Sequence, residues 1–163
     1  MTAATTLTWS PELALGDDRT DTTHEEFVEL LNATAAAAPE QQLALYQQLV
    51  QHTVEHFAQE ERWMTACGIP ADFCHFSQHN SVLEVMREVE RRALLGEMAL
   101  VAQMLEALVE WFPQHAQSMD AGLVGYLADK GFDTRTETFR DGAPAPAQDA
   151  TVPSCGHEPG QAC

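Results

Sequence analysis

The stretch Pro39–Met64, PEQQLALYQQLVQHTVEHFAQEERWM, decides the fold class. Its apolar side chains recur at the spacing of one helical face, at Leu43, Leu45, Leu49, Val50, Val54, Phe57 and Met64. Pro39 suits the first turn of a helix, and the Cys67-Gly68-Ile69-Pro70 sequence suits its end. The stretch therefore predicts one long amphipathic helix, which needs other helices against which to bury its apolar face.

The segments on both sides of this stretch have the same helical period. A first helix is predicted from Thr20 or Thr22, either of which suits the N-cap position, to the alanines at 35–38. A third helix is predicted from Ala71 or Asp72 to a point between residues 91 and 96.

The fourth predicted helix is the longest, from about Glu97 to Lys130, with Gly131 as its C-cap. Pro113 lies inside it and predicts a kink, because proline removes one amide donor from the helix. No segment alternates strictly between apolar and polar residues, so no strand is expected. Four amphipathic helices joined by short loops predict an all-α, up-down-up-down four-helix bundle.

The two ends of the chain lack this period. We expect residues 1–16 to form an N-terminal arm anchored by Trp9 and Leu13, and residues 17–131 to form the bundle. Residues 132–163 are expected to form a flexible, mostly disordered tail, because the segment from Asp133 holds four prolines and three glycines and few large apolar residues.

Composition narrows the class of protein. The 163 residues suit one domain, and 45% apolar residues are enough for a packed core. A formal net charge of -17 argues against nucleic acid and against an anionic membrane as partners, because both need clustered cations. No apolar run reaches the ~20 residues of a membrane span. The N-terminus does not resemble a signal peptide, and the four cysteines are too sparse for a disulfide framework, so a reducing cytoplasm is the expected compartment. The protein is expected to be a monomer.

Metal-ligand side chains are distributed over all four predicted helices. Two helices carry pairs spaced i, i+4, a spacing that places both side chains on one helical face. Burying so many histidines without a metal would leave polar atoms unpaired in the core. The candidate metal ligands are His24, His56, Glu60, His75, His79, His115 and Asp120.

These motifs resemble those of the bacterial hemerythrins. The matching stretches are Asp21-Thr22-Thr23-His24-Glu25-Glu26-Phe27 with Asn32, His56-Phe57-Ala58-Gln59-Glu60-Glu61 with Met64, His75-Phe76-Ser77-Gln78-His79, and Trp111-Phe112-Pro113-Gln114-His115 with Asp120. The resemblance implies that His75, His79 and His115 bind one iron ion and that His24 and His56 bind a second. It also implies that Glu60 and Asp120 bridge the two ions.

A count of ligands supports a function in O2 binding. Two octahedral ions offer twelve positions, of which five histidines fill five, two bridging carboxylates fill four, and a bridging oxo or hydroxo group fills two. The one open position suits a diatomic molecule, so reversible O2 binding for transport, storage or delivery is the leading hypothesis, as the resemblance also implies. The alternatives are an enzyme that reduces peroxide or nitric oxide, a sensor module for O2 or redox state, and a bundle without metal.

Three features of the sequence leave questions open. His115 and Asp120 are five residues apart, about 140° around a regular helix, so they either straddle the metal pair or are brought together by a π-bulge or by the proline kink. Thr23 stands where many relatives carry Gln. His52 stands where relatives often carry Tyr, and is expected either to pack in the core or to act as a donor or proton carrier near the site.

The cysteines give only a weak signal. In the tail, Cys155, His157, Glu158 and Cys163 could bind a soft metal or form a redox pair, but spare thiols in an unstructured tail are the simpler interpretation. Cys74 is expected to be structural.

Overall fold

A computed structural model describes residues 6–141 as a helical bundle. Within this range the helices are α1 (Asp18–Ala36), α2 (Pro39–Ala66), α3 (Cys74–Ala93), α4 (Ala99–His115) and α5 (Ala121–Asp129). A five-residue π-helical segment, Ala116–Asp120, joins α4 to α5 without a break. Two short strands follow, β1 (Phe132–Asp133) and β2 (Thr138–Phe139). Each of α1 to α4 packs against the next, and α4 packs against α1, so the predicted four-helix bundle is confirmed.

The N-terminal arm and the start of α1 are held by side chains. Asp17 is the N-cap of α1, and its carboxylate accepts hydrogen bonds from the amide and the hydroxyl of Thr20. The helix therefore begins a few residues before the predicted caps. Upstream, the backbone of Leu7 exchanges two hydrogen bonds with the side-chain amide of Asn32, and Trp9 and Leu13 pack inward, which fixes the arm along the bundle.

Two clusters of buried apolar side chains fill the bundle, one toward each end. On α2, Leu49 and Val50 belong to the first cluster, whereas Trp63 and Met64 belong to the second. The stretch between these pairs holds polar residues that are nonetheless buried. The packing thus leaves a polar layer in the middle of an otherwise apolar core, shielded from water on both sides.

The strands form an antiparallel hairpin that packs on the bundle, so the expectation that no strand forms is wrong here. Phe132 is buried in the second apolar cluster, and Thr134 donates a hydrogen bond to the helix-capping Asp17 at 2.7 Å. Glu137 accepts two hydrogen bonds from Arg62. The flexible tail expected from residue 132 onward therefore does not include residues 132–141. Its remainder, with Cys155, His157, Glu158 and Cys163, lies outside the described residues.

No helix between residues 6 and 141 combines the length and the apolar character needed to cross a membrane.

Candidate metal centre

The seven predicted ligand side chains meet in the polar middle layer of the bundle. All seven residues are at most 3% exposed. They come from α1, α2, α3, the end of α4 and the end of the π segment, and they are His24, His56, Glu60, His75, His79, His115 and Asp120. The structure therefore brings together all seven residues that the sequence predicts as metal ligands.

The π segment solves the spacing problem between His115 and Asp120. The amide of Ala121 bonds to the carbonyl of Ala116, an i to i+5 hydrogen bond that accommodates one residue more than an α-helical turn. Residues five apart then lie on the same face, and His115 Nε2 is 3.0 Å from Asp120 Oδ1. Of the interpretations left open by the spacing, the structure contains the π-bulge.

The oxygens of Glu60 are divided between two groups of histidines. Its Oε1 atom lies 2.8 Å from His56 Nε2 and 3.8 Å from His24 Nε2. Its Oε2 atom lies 3.3 Å from Nε2 of both His75 and His79. One carboxylate thus presents one oxygen to each group.

Asp120 repeats the same division from the other side of the site. Its Oδ2 atom lies 3.1 Å from His24 Nε2, whereas its Oδ1 atom lies 3.1 Å from His75 Nε2. The potential ligand atoms therefore form two sets, and within each set all atoms lie within 4.8 Å of one another. We call them the three-histidine half, with His75, His79 and His115, and the two-histidine half, with His24 and His56. Glu60 and Asp120 belong to both sets.

Most of the converging nitrogen and oxygen atoms lie close together but form no hydrogen bonds with one another. Among residues 6–141, the Nε2 atoms of His24, His75, His79 and His115 have no hydrogen-bond partner, and neither do Glu60 Oε2 and both Asp120 oxygens. Buried polar atoms without a partner are costly, typically ~1–3 kcal/mol each. Imidazole nitrogens and carboxylate oxygens are also the donors that first-row transition metals bind. Two metal ions placed between them would satisfy these atoms, so the residues present fit a dinuclear centre.

The charges of the metal-free site also favour the binding of cations. Burial lowers the pKa of His24 and His75, but their contacts with Asp120 and Glu60 outweigh it and raise each pKa to about 9. Burial opposes ionisation of Glu60 and Asp120 as well, yet the surrounding histidines hold the pKa of both carboxyl groups well below the usual range. Protons on His24 and His75 therefore balance the two buried carboxylates, and metal cations can replace those protons.

Neighbouring side chains orient the rings of the three-histidine half. His115 Nδ1 lies 2.8 Å from Gln78 Oε1, an acceptor, so Nδ1 donates to that oxygen and Nε2 is the nitrogen that faces the ligand cluster. His79 Nδ1 lies 3.4 Å from Glu61 Oε1. The His79 ring stacks on Phe57 at 3.8 Å between centroids, and the His115 ring stacks on Trp111 at 4.4 Å.

The two-histidine half has no comparable supports. Neither His24 Nδ1 nor His56 Nδ1 has a hydrogen-bond partner among residues 6–141. The edge of the His24 ring contacts Phe112, with centroids 5.0 Å apart. His56 also lines a polar pocket of about 320 Å³ between α1 and α2, which we call the α1–α2 pocket.

His52 and Thr23 lie at the α1–α2 pocket and not among the converging ligand atoms. His52 Nε2 contacts Glu26 Oε2 at 3.2 Å, and the His52 ring lies 6.0 Å from that of His56. The Thr23 hydroxyl donates to the carbonyl of Arg19 and accepts from the amide of Gln59. Thr23 therefore forms part of the wall between the two-histidine half and solvent.

Sequence reasoning did not assign roles to Gln59, Glu61 and Gln78. Two signals were available: each lies within one residue of a candidate ligand, and a metal-binding histidine usually donates its second ring proton to a nearby oxygen. Helical spacing does not decide which of the flanking polar residues supplies that oxygen, because the acceptor of His115 lies on a different helix.

Comparison with known proteins identifies the family to which these features belong. The description "Hemerythrin HHE cation binding domain" matches residues 15–127 of this chain. The chain belongs to the hemerythrin family. This membership confirms the resemblance to the bacterial hemerythrins, and the match covers all seven residues of the buried cluster.

Curated bacterial hemerythrins are similar along most of their length. The bacteriohemerythrin of Ralstonia nicotianae is 43% identical over 129 residues, which cover 79% of this chain and 94% of that protein. The bacteriohemerythrin of Stenotrophomonas maltophilia is 28% identical over 118 residues, which cover 70% of this chain and 76% of that protein. That of Pseudomonas aeruginosa is 29% identical over 123 residues, covering 72% and 79%. No solved structure matches the chain with significant similarity.

Proposed function

We propose that the chain binds O2 reversibly at a pair of iron ions that Glu60 and Asp120 bridge. One observation carries the proposal: both carboxylates present one oxygen to the three-histidine half and the other to the two-histidine half. A carboxylate in this position serves two cations at once and holds them at a fixed separation. Family membership supports iron as the metal, and the name bacteriohemerythrin, which the relatives carry, supports O2 as the ligand.

The two halves differ in the number of donors that they supply. The three-histidine half offers three imidazoles and two carboxylates, whereas the two-histidine half offers two imidazoles and the same two carboxylates. The two-histidine half would therefore hold its ion with one protein donor fewer and would leave room there for a ligand from solution. The proposed O2 site is therefore on the side of His24 and His56.

The protein's own part in the proposed reaction is to orient the metal ligands and to exclude water. The pair of iron ions, when bound, supplies the electrons that reversible O2 binding requires. The rings of Phe27, Phe57 and Phe112 pack against the histidines and are each at most 2% exposed. A dry, apolar surround slows loss of electrons to solvent and favours a small apolar molecule such as O2 over a charged one.

The alternative of a peroxide or nitric oxide reductase requires a proton donor at the open position. His52 was the candidate for that role, and its Nε2 atom contacts Glu26 instead of the ligand cluster. No other His, Cys, Asp or Glu side chain among the described residues joins the seven-residue cluster. The arrangement supports the binding of a ligand better than its reduction.

The optical spectrum of the iron-loaded, anaerobically reduced protein tests the proposal. Air should produce new visible absorption, and removal of O2 should restore the reduced spectrum over repeated cycles. Absorption that appears once and persists after removal of O2 would contradict reversible binding. Steady consumption of added peroxide or nitric oxide with an external reductant would support the enzyme instead.

A further inference from the structure

The α1–α2 pocket is lined by polar and charged groups and ends at the metal centre. Glu26, His52 and Glu55 lie toward the surface, and the buried His56 lies deeper. We propose that this pocket is the route by which a hydrated divalent cation enters the two-histidine half, with Glu26, His52 and Glu55 as a capture site on the way. This inference rests on the proposed function, because it concerns the loading of the same centre.

The chemistry of the pocket suits a cation that still carries water. Carboxylate oxygens attract a hydrated divalent ion, and imidazole nitrogens replace its waters one at a time. The carboxylate of Glu26 and the ring of His52 already lie within 3.2 Å of each other. Nδ1 of His52 and Nδ1 of His56 both lack a hydrogen-bond partner among residues 6–141. The two histidines thus offer successive nitrogens along the pocket.

Three carboxylates, those of Glu26, Glu55 and Glu137, offset the two positive charges at the pocket, those of Arg19 and Arg62. Arg62 makes a two-point ion pair with Glu137 of the hairpin. Arg19 donates from Nε to Gln59 Oε1 at 2.8 Å, and its charge also helps to lower the pKa of Glu137. Because Glu137 pairs with Arg62, the exposed carboxylates of Glu26 and Glu55 outnumber the remaining positive charge of Arg19, and an approaching ion meets a net negative pocket. The net charge of -17 adds a long-range attraction for cations.

The other walls of the centre are closed by aromatic rings and by polar side chains whose oxygens already contact the histidines, as Glu61 and Gln78 do at His79 and His115. Phe57 and Trp111 cover the three-histidine half by stacking on its rings, and Phe112 covers His24. A hydrated cation does not cross such a wall without losing its water. On the pocket side, the wall includes a chain of hydrogen bonds from Arg19 through Gln59 to Thr23. Hydrogen bonds of this kind open and close readily, whereas a packed aromatic wall does not.

The test compares the rates at which variants of the full-length, metal-free protein take up Co²⁺, followed by visible absorption of the ion. In a Glu26→Gln/Glu55→Gln double variant the uptake rate should fall about three- to tenfold, because the steering field is weakened. The wild-type rate should fall as salt is added, and the double variant should depend less on salt. The final ratio of metal to protein should be unchanged, which also shows that the variant folds.

A Glu106→Gln/Glu110→Gln variant is the matched control. It removes the same charge from exposed positions on α4, away from the pocket, and should load at nearly the wild-type rate. Equal rates in wild type and both double variants would overturn the entry route and leave the metal centre intact. If both double variants loaded equally slowly, the slowing would come from the lower net charge of the protein. That result would also overturn the entry route. If the wild type bound no Co²⁺ or Fe²⁺ at all, the proposed function itself would fail.

Discussion

The two halves of the metal centre hold their histidines in different ways. In the three-histidine half, His79 and His115 are held from behind by stacked aromatic rings and by oxygens of Glu61 and Gln78. In the two-histidine half, His24 and His56 have no acceptor for Nδ1 among the described residues. One half is therefore preorganised, and the other retains freedom to adjust.

This difference is consistent with a division of labour in the proposed function. A preorganised set of ligands binds a metal tightly, because little ordering remains to be done when the ion arrives. The two-histidine half borders the α1–α2 pocket, which provides room for changes in coordination. We expect the three-histidine half to anchor the pair of ions and the two-histidine half to exchange ligands.

Removal of a shared carboxylate should have the largest effect, because it removes what the two halves have in common. Glu60→Gln or Asp120→Asn keeps the size of the side chain, but an amide offers one good acceptor oxygen instead of two. Metal content should fall from about two ions per chain to one or none, measured by elemental analysis of anaerobically purified protein. The exposed Glu106→Gln should keep both ions. Full metal content in either bridge variant would refute the shared-carboxylate geometry.

Removal of one histidine should affect the two halves unequally. His24→Ala leaves only His56, Glu60 and Asp120 in its half, so about one ion per chain should remain after desalting. His115→Ala leaves its half with two histidines and two carboxylates, as many ligands as the intact two-histidine half has. That variant should keep both ions with weaker affinity. The opposite order of metal loss would show that the number of ligands does not control occupancy.

Loss of an anchoring oxygen should weaken the three-histidine half alone. Gln78→Leu removes the acceptor of His115 Nδ1 and should lower affinity for one ion about tenfold, measured by competition with a chelator. Gln78→Glu keeps an acceptor oxygen and should retain most of the affinity. Gln103→Leu, an exposed change on α4, provides the control for added apolar surface. Equal weakening of both ions would mean that the halves are not independently supported.

The melting temperature of the metal-free protein should depend on pH more strongly than that of the metal-loaded protein. His24 and His75 have a pKa of about 9 in the fold, above the ordinary 6.5. Their stabilising contribution is thus fully present below pH 6.5 and is lost as the pH rises through about 9. The pKa of His79 is also raised, whereas burial lowers that of His56 and offsets part of the effect.

The metal-free protein should therefore melt at a lower temperature at pH 9 than at pH 6.5, as followed by circular dichroism with excess chelator. The loaded protein should melt higher at both values and change less between them, because cations replace the protons. A metal-free melting temperature that rises over this interval would show that the histidines are not protonated against Glu60 and Asp120.

Much of the fold was predictable because the bundle depends on local periodicity. The 3.6-residue period of apolar side chains marks each of the four main helices, and Pro39 and Gly131 mark two of their ends. The hairpin was missed because its strands have two residues each, too short for any alternation to register. Its only sequence signal is a pair of aromatic residues, Phe132 and Phe139, whose rings contact each other at 5.3 Å.

The candidate ligands were predictable for a related reason. A pair spaced i, i+4 shares a helical face whatever the rest of the fold does, as for His75 and His79. The pair His115 and Asp120 was less certain, because five residues in a regular helix point in different directions. Only the π segment, stabilised within the packed bundle, places their side chains 3.0 Å apart.

By itself, the sequence determined the class of fold, the helices and the chemical types of the seven converging side chains, since each depends on spacing along one segment. Tertiary structure alone decided which oxygen of Glu60 and Asp120 faces which histidine. It also placed Gln78 of α3 against His115 of α4. It also decided that the α1–α2 pocket borders only the half with two histidines. The physical reason is that spacing fixes the face of a helix on which a residue lies, whereas packing fixes how far that helix is rotated and shifted against its neighbours.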